Sequence, residues 1–173
     1  MQGFFKKNGF LALSGARCVI KSPNFPAKFE PKSNFGYAYI LGIGGNVGDV
    51  RIRFERLYRA LCKDARFFVC ETSEILKNKA FGYLAQDDFL NATVCAQSVL
   101  APRQMLKIMQ RYELKFGRKR SFKNAPRTLD IDILYASAKV RRDKRLILPH
   151  PGALERASVV FPLGGMSLEK GLV

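Results

Sequence analysis

Between Tyr37 and Leu61 the hydrophobic pattern changes period across one short turn, and this change restricts the fold more than any other feature of the chain. Tyr37-Ala38-Tyr39-Ile40-Leu41-Gly42-Ile43 reads as a buried strand. Gly44-Gly45-Asn46-Val47-Gly48-Asp49 follows, a sequence that permits a tight turn and ends on a residue able to cap a helix. Val50, Phe54, Leu57, Tyr58 and Leu61 then recur at helical spacing, with Arg51, Arg53, Arg56 and Arg59 mainly outside the stripe. Arg66 to Leu76 and Phe89 to Leu100 have the aromatic and β-branched content of strands. Pro102 marks a helix start and Gly117 its stop, with Met105, Leu106, Met109 and Tyr112 as the apolar stripe. Leu129, Ile131, Ile133 and Tyr135 alternate along a last strand. The order βαββαβ, without repeats, predicts an α+β sandwich whose sheet is largely antiparallel and carries its helices packed on it.

Composition bounds the class of partner. A chain of 173 residues, 47% hydrophobic and 25% charged, can bury a core of its own. Its net charge is +16, and most of the excess falls after residue 100. Such a concentration of fixed cations attracts phosphates, nucleotides or nucleic acid, and charge alone does not choose among them. Cys18, Cys62, Cys70 and Cys95 form no C-x-x-C pair and accompany one histidine, which favours free thiols in a reducing cytoplasm over a zinc or redox site. No stretch approaches the ~18 apolar residues of a membrane span. Residues 1–36 read as a basic, poorly ordered extension ending near Pro23, Pro26 and Pro31, and residues 37–173 as a single domain.

The chemistry gathers at the end of the chain. Asp130 and Asp132 are two apart on a strand and therefore share a face, where together they can hold one divalent ion or two. Two such acids in isolation are as readily a solvated face. Here they follow Arg118, Lys119, Arg120, Lys123 and Arg127, a run without an acid. Carboxylates that bind Mg²⁺ beside arginines that bind phosphate oxygens suit phosphoryl transfer, which is mostly positioning and charge neutralisation. Neither a P-loop nor a protein-kinase signature is present, so a nucleoside triphosphate would be held in another way. Gly44-Gly45-Asn46 reads first as a structural strand-to-helix turn.

Lys123-Asn124-Ala125-Pro126-Arg127-Thr128-Leu129-Asp130-Ile131-Asp132-Ile133-Leu134 closely resembles the signature of the 6-hydroxymethyl-7,8-dihydropterin pyrophosphokinase family of folate biosynthesis. The resemblance extends to Leu41 to Asp49, to Phe89-Leu90-Asn91-Ala92, and to Pro149-His150-Pro151 with Glu155-Arg156. It implies a ferredoxin-like fold and transfer of the β,γ-pyrophosphoryl unit of MgATP to a pterin hydroxymethyl group, with release of AMP. By motif position Asp130 and Asp132 would ligate two Mg²⁺ ions, and Arg118 and Arg127, with Arg120 nearby, would contact phosphates. Gln110, Glu113, Arg145, His150 and Arg156 fall at ATP-site positions of the family. Asn91 matches the residue that reads the pterin edge, Phe89 an aromatic that stacks on the ring, and Asn78 a loop position of the pterin site. A second stacking aromatic would be expected where Ser158 stands.

Two other classes of protein share parts of this pattern. A metal-dependent nucleotidyltransferase also uses Asp-x-Asp on a strand, but its Gly-Ser element belongs close before the aspartates, and Gly44-Gly45 lies more than eighty positions earlier. An RNA-binding module would explain the charge, and Lys79 to Tyr83 partly resembles an RNP1 motif without its second Gly and final aromatic. The expected partners are therefore ATP and a pterin, with no specific nucleic acid and no membrane, for a monomer or weak dimer.

Overall fold

The computed structural model describes residues 4–7, 10–13, 16–80, 82–119, 122, 124–137, 141–143, 145–153 and 155–167. Phe4–Lys7 (β1) and Phe10–Leu13 (β2) pair as an antiparallel hairpin. The main sheet is built from Ala16–Ile20 (β3), Ala27–Lys28 (β4), Tyr37–Gly45 (β5), Phe67–Thr72 (β6), Ile75–Asn78 (β7), Phe89–Ser98 (β8) and Asp130–Ala136 (β9). Arg141–Asp143 (β10) and Leu146–Leu148 (β11) form a second hairpin. The helices are Val50–Lys63 (α1), Pro102–Lys115 (α2) and Ala157–Gly164 (α3).

Across the centre the strands run β9-β5-β8-β6, all antiparallel. In βαββαβ numbering this is the order fourth, first, third, second, which is that of a ferredoxin-like sandwich. One face carries Leu41, Ile43, Val94, Ile131 and Ile133, packed with Val50, Phe54, Leu57 and Leu61 of α1 and with Met105, Met109 and Tyr112 of α2. Both helices form for local reasons as well. Asp49 accepts the Ile52 amide at 2.9 Å as an N-cap, and Pro102 opens α2 where its missing N–H costs nothing. Gly117 closes α2 at φ 82°, in the left-handed region. The other face of the sheet carries a smaller apolar cluster of Ile40, Leu134 and Ala153, with Val159 and Leu163 of α3 against it.

Three expectations change. The strand expected over Arg66 to Leu76 is two strands, because Ser73 interrupts it and pairs with Thr93 of β8 through its amide (3.0 Å) and its hydroxyl (2.9 Å). Gly44 and Gly45 are the last residues of β5 and not part of the turn. Most substantially, the described part of the stretch read as a poorly ordered extension adds two strands to the sheet: β3 pairs with β7, and β4 with β6. The physical reason is burial. Phe25 is fully buried against Phe54 and Tyr58, and Ser22 and Asn24 donate three hydrogen bonds to the buried carboxylate of Glu55.

Candidate active site

The site forms on the sheet face opposite the helix-packed core. Strand alternation buries Ile131 and Ile133 and turns Asp130 and Asp132 the other way. In the ladder Asp130 stands opposite Gly44 and Asp132 opposite Gly42. On the other side of β5, Gly44 stands opposite Asn91 and Gly42 opposite Thr93. Two glycines therefore separate the acids from the β8 side chains, and the space they leave is tight. A Cβ at Gly44 would come within 2.7 Å of Asn91 Oδ1, and one at Gly45 within 2.5 Å of the Thr128 carbonyl. The glycines read as turn residues serve here as close-approach positions.

Cations converge on the acids. Arg118 Nη1 lies 2.6 Å from Asp130 Oδ1 and also pairs with Glu113, while Arg127 pairs with the other oxygen of Asp130. Arg156, at the N-cap of α3, lies 3.9 Å from Asp132. Glu113 is buried at the end of α2 and accepts the Ile131 amide at 2.7 Å, which ties the helix to the strand carrying both aspartates. Burial pushes its carboxyl up to about 7, against the opposing effects of the Ile131 amide and Arg118. Partial burial first, and the Asp130 charge second, push Asp132 up, with His150, Arg156 and Arg118 opposing. The His150 ring accepts the Gly152 amide at Nδ1 (3.1 Å), so the neutral ring carries its proton on Nε2.

Beside the charged cluster, Asn91 donates to Asn78 Oδ1 at 2.7 Å, and Asn78 donates to the Lys79 carbonyl at 2.8 Å. Phe89 stands opposite Asn78 in the β7–β8 ladder, and the Arg127 guanidinium lies 5.5 Å from its ring centroid. Asp130, Asp132, Arg118, Arg127, Arg156, Asn78, Phe89 and Asn91 are thus connected on this face, and Glu113 joins them from α2 through Arg118 and the Ile131 amide. Gln110 is an exposed residue of α2, and Arg145 an exposed one in the turn between β10 and β11. Arg120 lies outside the described residues. Ser158 is in the first turn of α3, with the exposed Phe161 one helical turn further on.

Three residues of the site were not read from the sequence. Asn46 accepts the Arg127 amide at 2.9 Å through Oδ1 and donates through Nδ2 to Gln86 Oε1 and the Asp87 carbonyl. Gln86 in turn donates to the Asn124 carbonyl at 3.0 Å. Arg53 holds the carbonyls of Val47 and Thr128 at 2.7 and 2.9 Å. Together they tie the loop before β8 and the loop before β9 to the end of β5. The only available signal was Asn46 inside the glycine turn, which has an ordinary turn explanation.

Two carboxylates on one strand face, partly exposed and opposite glycines, are a donor set of hard oxygens that fits Mg²⁺, which takes one or two carboxylates and completes its shell with water and phosphate. Among the described residues no group of three or more His, Cys, Asp or Glu is placed to hold a metal. An α+β sandwich with paired strand carboxylates under converging guanidiniums has the parts of a phosphoryl-transfer enzyme. The chain belongs to the 7,8-dihydro-6-hydroxymethylpterin-pyrophosphokinase (HPPK) family, whose sequence model matches residues 40–167. Among its relatives is the 2-amino-4-hydroxy-6-hydroxymethyldihydropteridine pyrophosphokinase of Campylobacter jejuni, 46% identical over 154 residues, which are 89% of this chain and 98% of the relative. The protein of the same name from Helicobacter pylori is 35% identical over 149 residues, 85% of this chain and 91% of the relative. That of Aquifex aeolicus is 39% identical over 124 residues, covering 71% and 76%.

Proposed function

We propose that this chain transfers the β,γ-pyrophosphoryl unit of ATP to the hydroxymethyl oxygen of 6-hydroxymethyl-7,8-dihydropterin in folate biosynthesis. The observation that carries the reading is the clustering of Asp130 and Asp132 with Arg118, Arg127 and Arg156 on one sheet face, next to Asn91 and Phe89. In the reaction the hydroxymethyl oxygen forms a bond to the β-phosphorus, the bond from that phosphorus to the α-phosphate oxygen breaks, and the hydroxyl proton passes to solvent. AMP leaves. Arg118 and Arg127 supply planar donors to the phosphate oxygens as charge moves onto the leaving group. Asp130 and Asp132 are the residues that would hold Mg²⁺, which when bound neutralises charge on the triphosphate. Glu113 fixes Arg118 and the backbone of β9, and so sets where both act. Gln110, Arg120, Arg145, His150 and Arg156 complete the ATP side. On the pterin side the Asn91 amide, oriented by Asn78, meets the polar ring edge, and Phe89 offers a stacking face.

Among the described residues no helix is long and apolar enough to cross a membrane. We place the enzyme in the cytoplasm as a monomer or weak dimer, with residues 37–173 as its catalytic part and no specific nucleic acid as partner. The test is AMP release from ATP and Mg²⁺ with and without the pterin. Pterin-dependent AMP supports the reading and shows that Ser158 is tolerated. Absence of AMP while MgATP still binds overturns the choice of acceptor.

A further inference from the structure

The family match begins at residue 40, yet the chain is tied into the sheet well before that point. β3 pairs with the outer edge of β7 from Ala16 opposite Asn78 to Ile20 opposite Ile75. On its inner edge β7 meets β8 over three residue pairs only, Leu76 with Asn91, Lys77 with Leu90 and Asn78 with Phe89. These same pairs contain Asn78, Phe89 and Asn91. A short strand paired on one side frays at low cost, so the backbone carrying Asn78 depends on what covers its outer edge.

Side chains add to the ladder. Asp88 immediately precedes Phe89, and its Oδ2 is held from two strands, by Arg17 Nε of β3 at 3.5 Å and by Lys77 Nζ of β7 at 3.9 Å. Lys21 pairs with Glu74 at 3.1 Å at the opposite end of β7. Beyond β3 the chain is anchored in turn, by the three hydrogen bonds to Glu55, by the Phe29 amide on the Cys70 carbonyl at 2.7 Å, and by the two-way pairing of the Lys32 backbone with Gln97. β3 is therefore fixed at both of its flanks that bear on β7: across the ladder and along the chain.

We propose that β3 is a positioning strand for the pterin end of the site, and that Arg17, through Asp88, sets where Phe89 stands relative to Asn78 and Asn91. The inference rests on the pterin assignment made above. Arg17 touches no substrate. It acts through Asp88, and its effect belongs to acceptor binding and not to the phosphate chemistry, which lies on β9 and α2.

The experiment is a double-mutant cycle in the full chain: Arg17→Ala, Asp88→Ala and both together, with KM for pterin, KM for ATP, kcat and Tm measured for each. Arg17 is half-exposed, so the effect of one pair is modest. The expected result is a pterin KM raised roughly 3- to 5-fold by each single change, and raised no further by the double than by Asp88→Ala alone, as for two residues acting as a unit. KM for ATP, kcat and Tm stay near the parent values. A pterin KM unchanged in Arg17→Ala overturns the proposal, as does a parallel rise in both KM values with a fall in Tm, which is the pattern of a purely structural strand. Asn91→Ala separates the two readings. If it weakens pterin binding while Arg17→Ala does not, the positioning role alone fails; if it leaves pterin binding intact, the pterin assignment fails and the positioning role falls with it.

Discussion

Gly44 has Asp130 opposite it on one side and Asn91 on the other, and the ladder gives it no room for a side chain. Gly44→Ala would push a methyl group onto the Asn91 amide, so KM for pterin should rise about tenfold, as for loss of one oriented polar contact, while KM for ATP moves less. Initial-rate assays varying each substrate in turn decide this. At the charged end, Asp130→Ala and Asp132→Ala should each remove most turnover, whereas Arg127→Ala should lower kcat by about 10² to 10³, as for removal of a charge-stabilising donor. AMP release at saturating substrates measures both, and near-normal turnover in Asp130→Ala would remove the metal assignment. These residues were legible because a strand period of two and a basic run without acids are local patterns. Asn46 and Arg53 were not, because their partners Arg127 and Thr128 lie 81 and 75 positions away. Their work is to hold backbone, and backbone partners leave no mark on residue type.

Between elements, polar ties join the end of α1 to α2. Asp64 caps the end of α1, takes two hydrogen bonds from the Arg66 guanidinium and accepts the Tyr112 hydroxyl of α2 at 3.0 Å. The Arg66 side chain is the main cause holding its carboxyl down at about 2, below its ordinary 3.8. A carboxylate depressed in the folded state stabilises fully above its unfolded value and loses that contribution as pH falls through the folded one. Wild-type stability should therefore decline between pH 4 and pH 2 more steeply than that of Asp64→Ala, a comparison that urea unfolding at stepped pH makes directly. Phe25→Ala should cost about 3 to 5 kcal/mol in the same assay, as for a fully buried aromatic. The helices α1 and α2 and the long strands β5, β8 and β9 were readable from local signals: periodicity, β-branched and aromatic content, and the Pro102 and Gly117 boundaries of α2. The segment holding Phe25 was not, since prolines on both sides give it the look of a linker, and its burial depends on Phe54 and Tyr58 of a later helix. α3 was missed for a similar reason: it is short, contains Pro162, and owes its place to the cluster around Leu134.

For the molecule as a whole, a net charge of +16 surrounds a site meant for an anion. Screening should therefore raise KM for ATP as ionic strength increases, whereas KM for a neutral pterin should stay level; steady-state kinetics from low salt to above 0.15 M, where the screening length falls to about 8 Å, tests this. The same imbalance is absent at the centre, where Asp130 lies between Arg118 and Arg127. If Asp130 is to hold Mg²⁺ and Arg118 and Arg127 the phosphates, as proposed, these groups must first part from one another. A lone cation would have to evict the arginines with nothing to receive them, and a lone triphosphate would have to pull them from the aspartate and leave it bare. With both together the exchange would be like for like, arginine to phosphate and aspartate to metal, and no charge would be stranded. On the proposed assignment the site should favour the nucleotide with its ion over either one alone, as a lock that needs two keys.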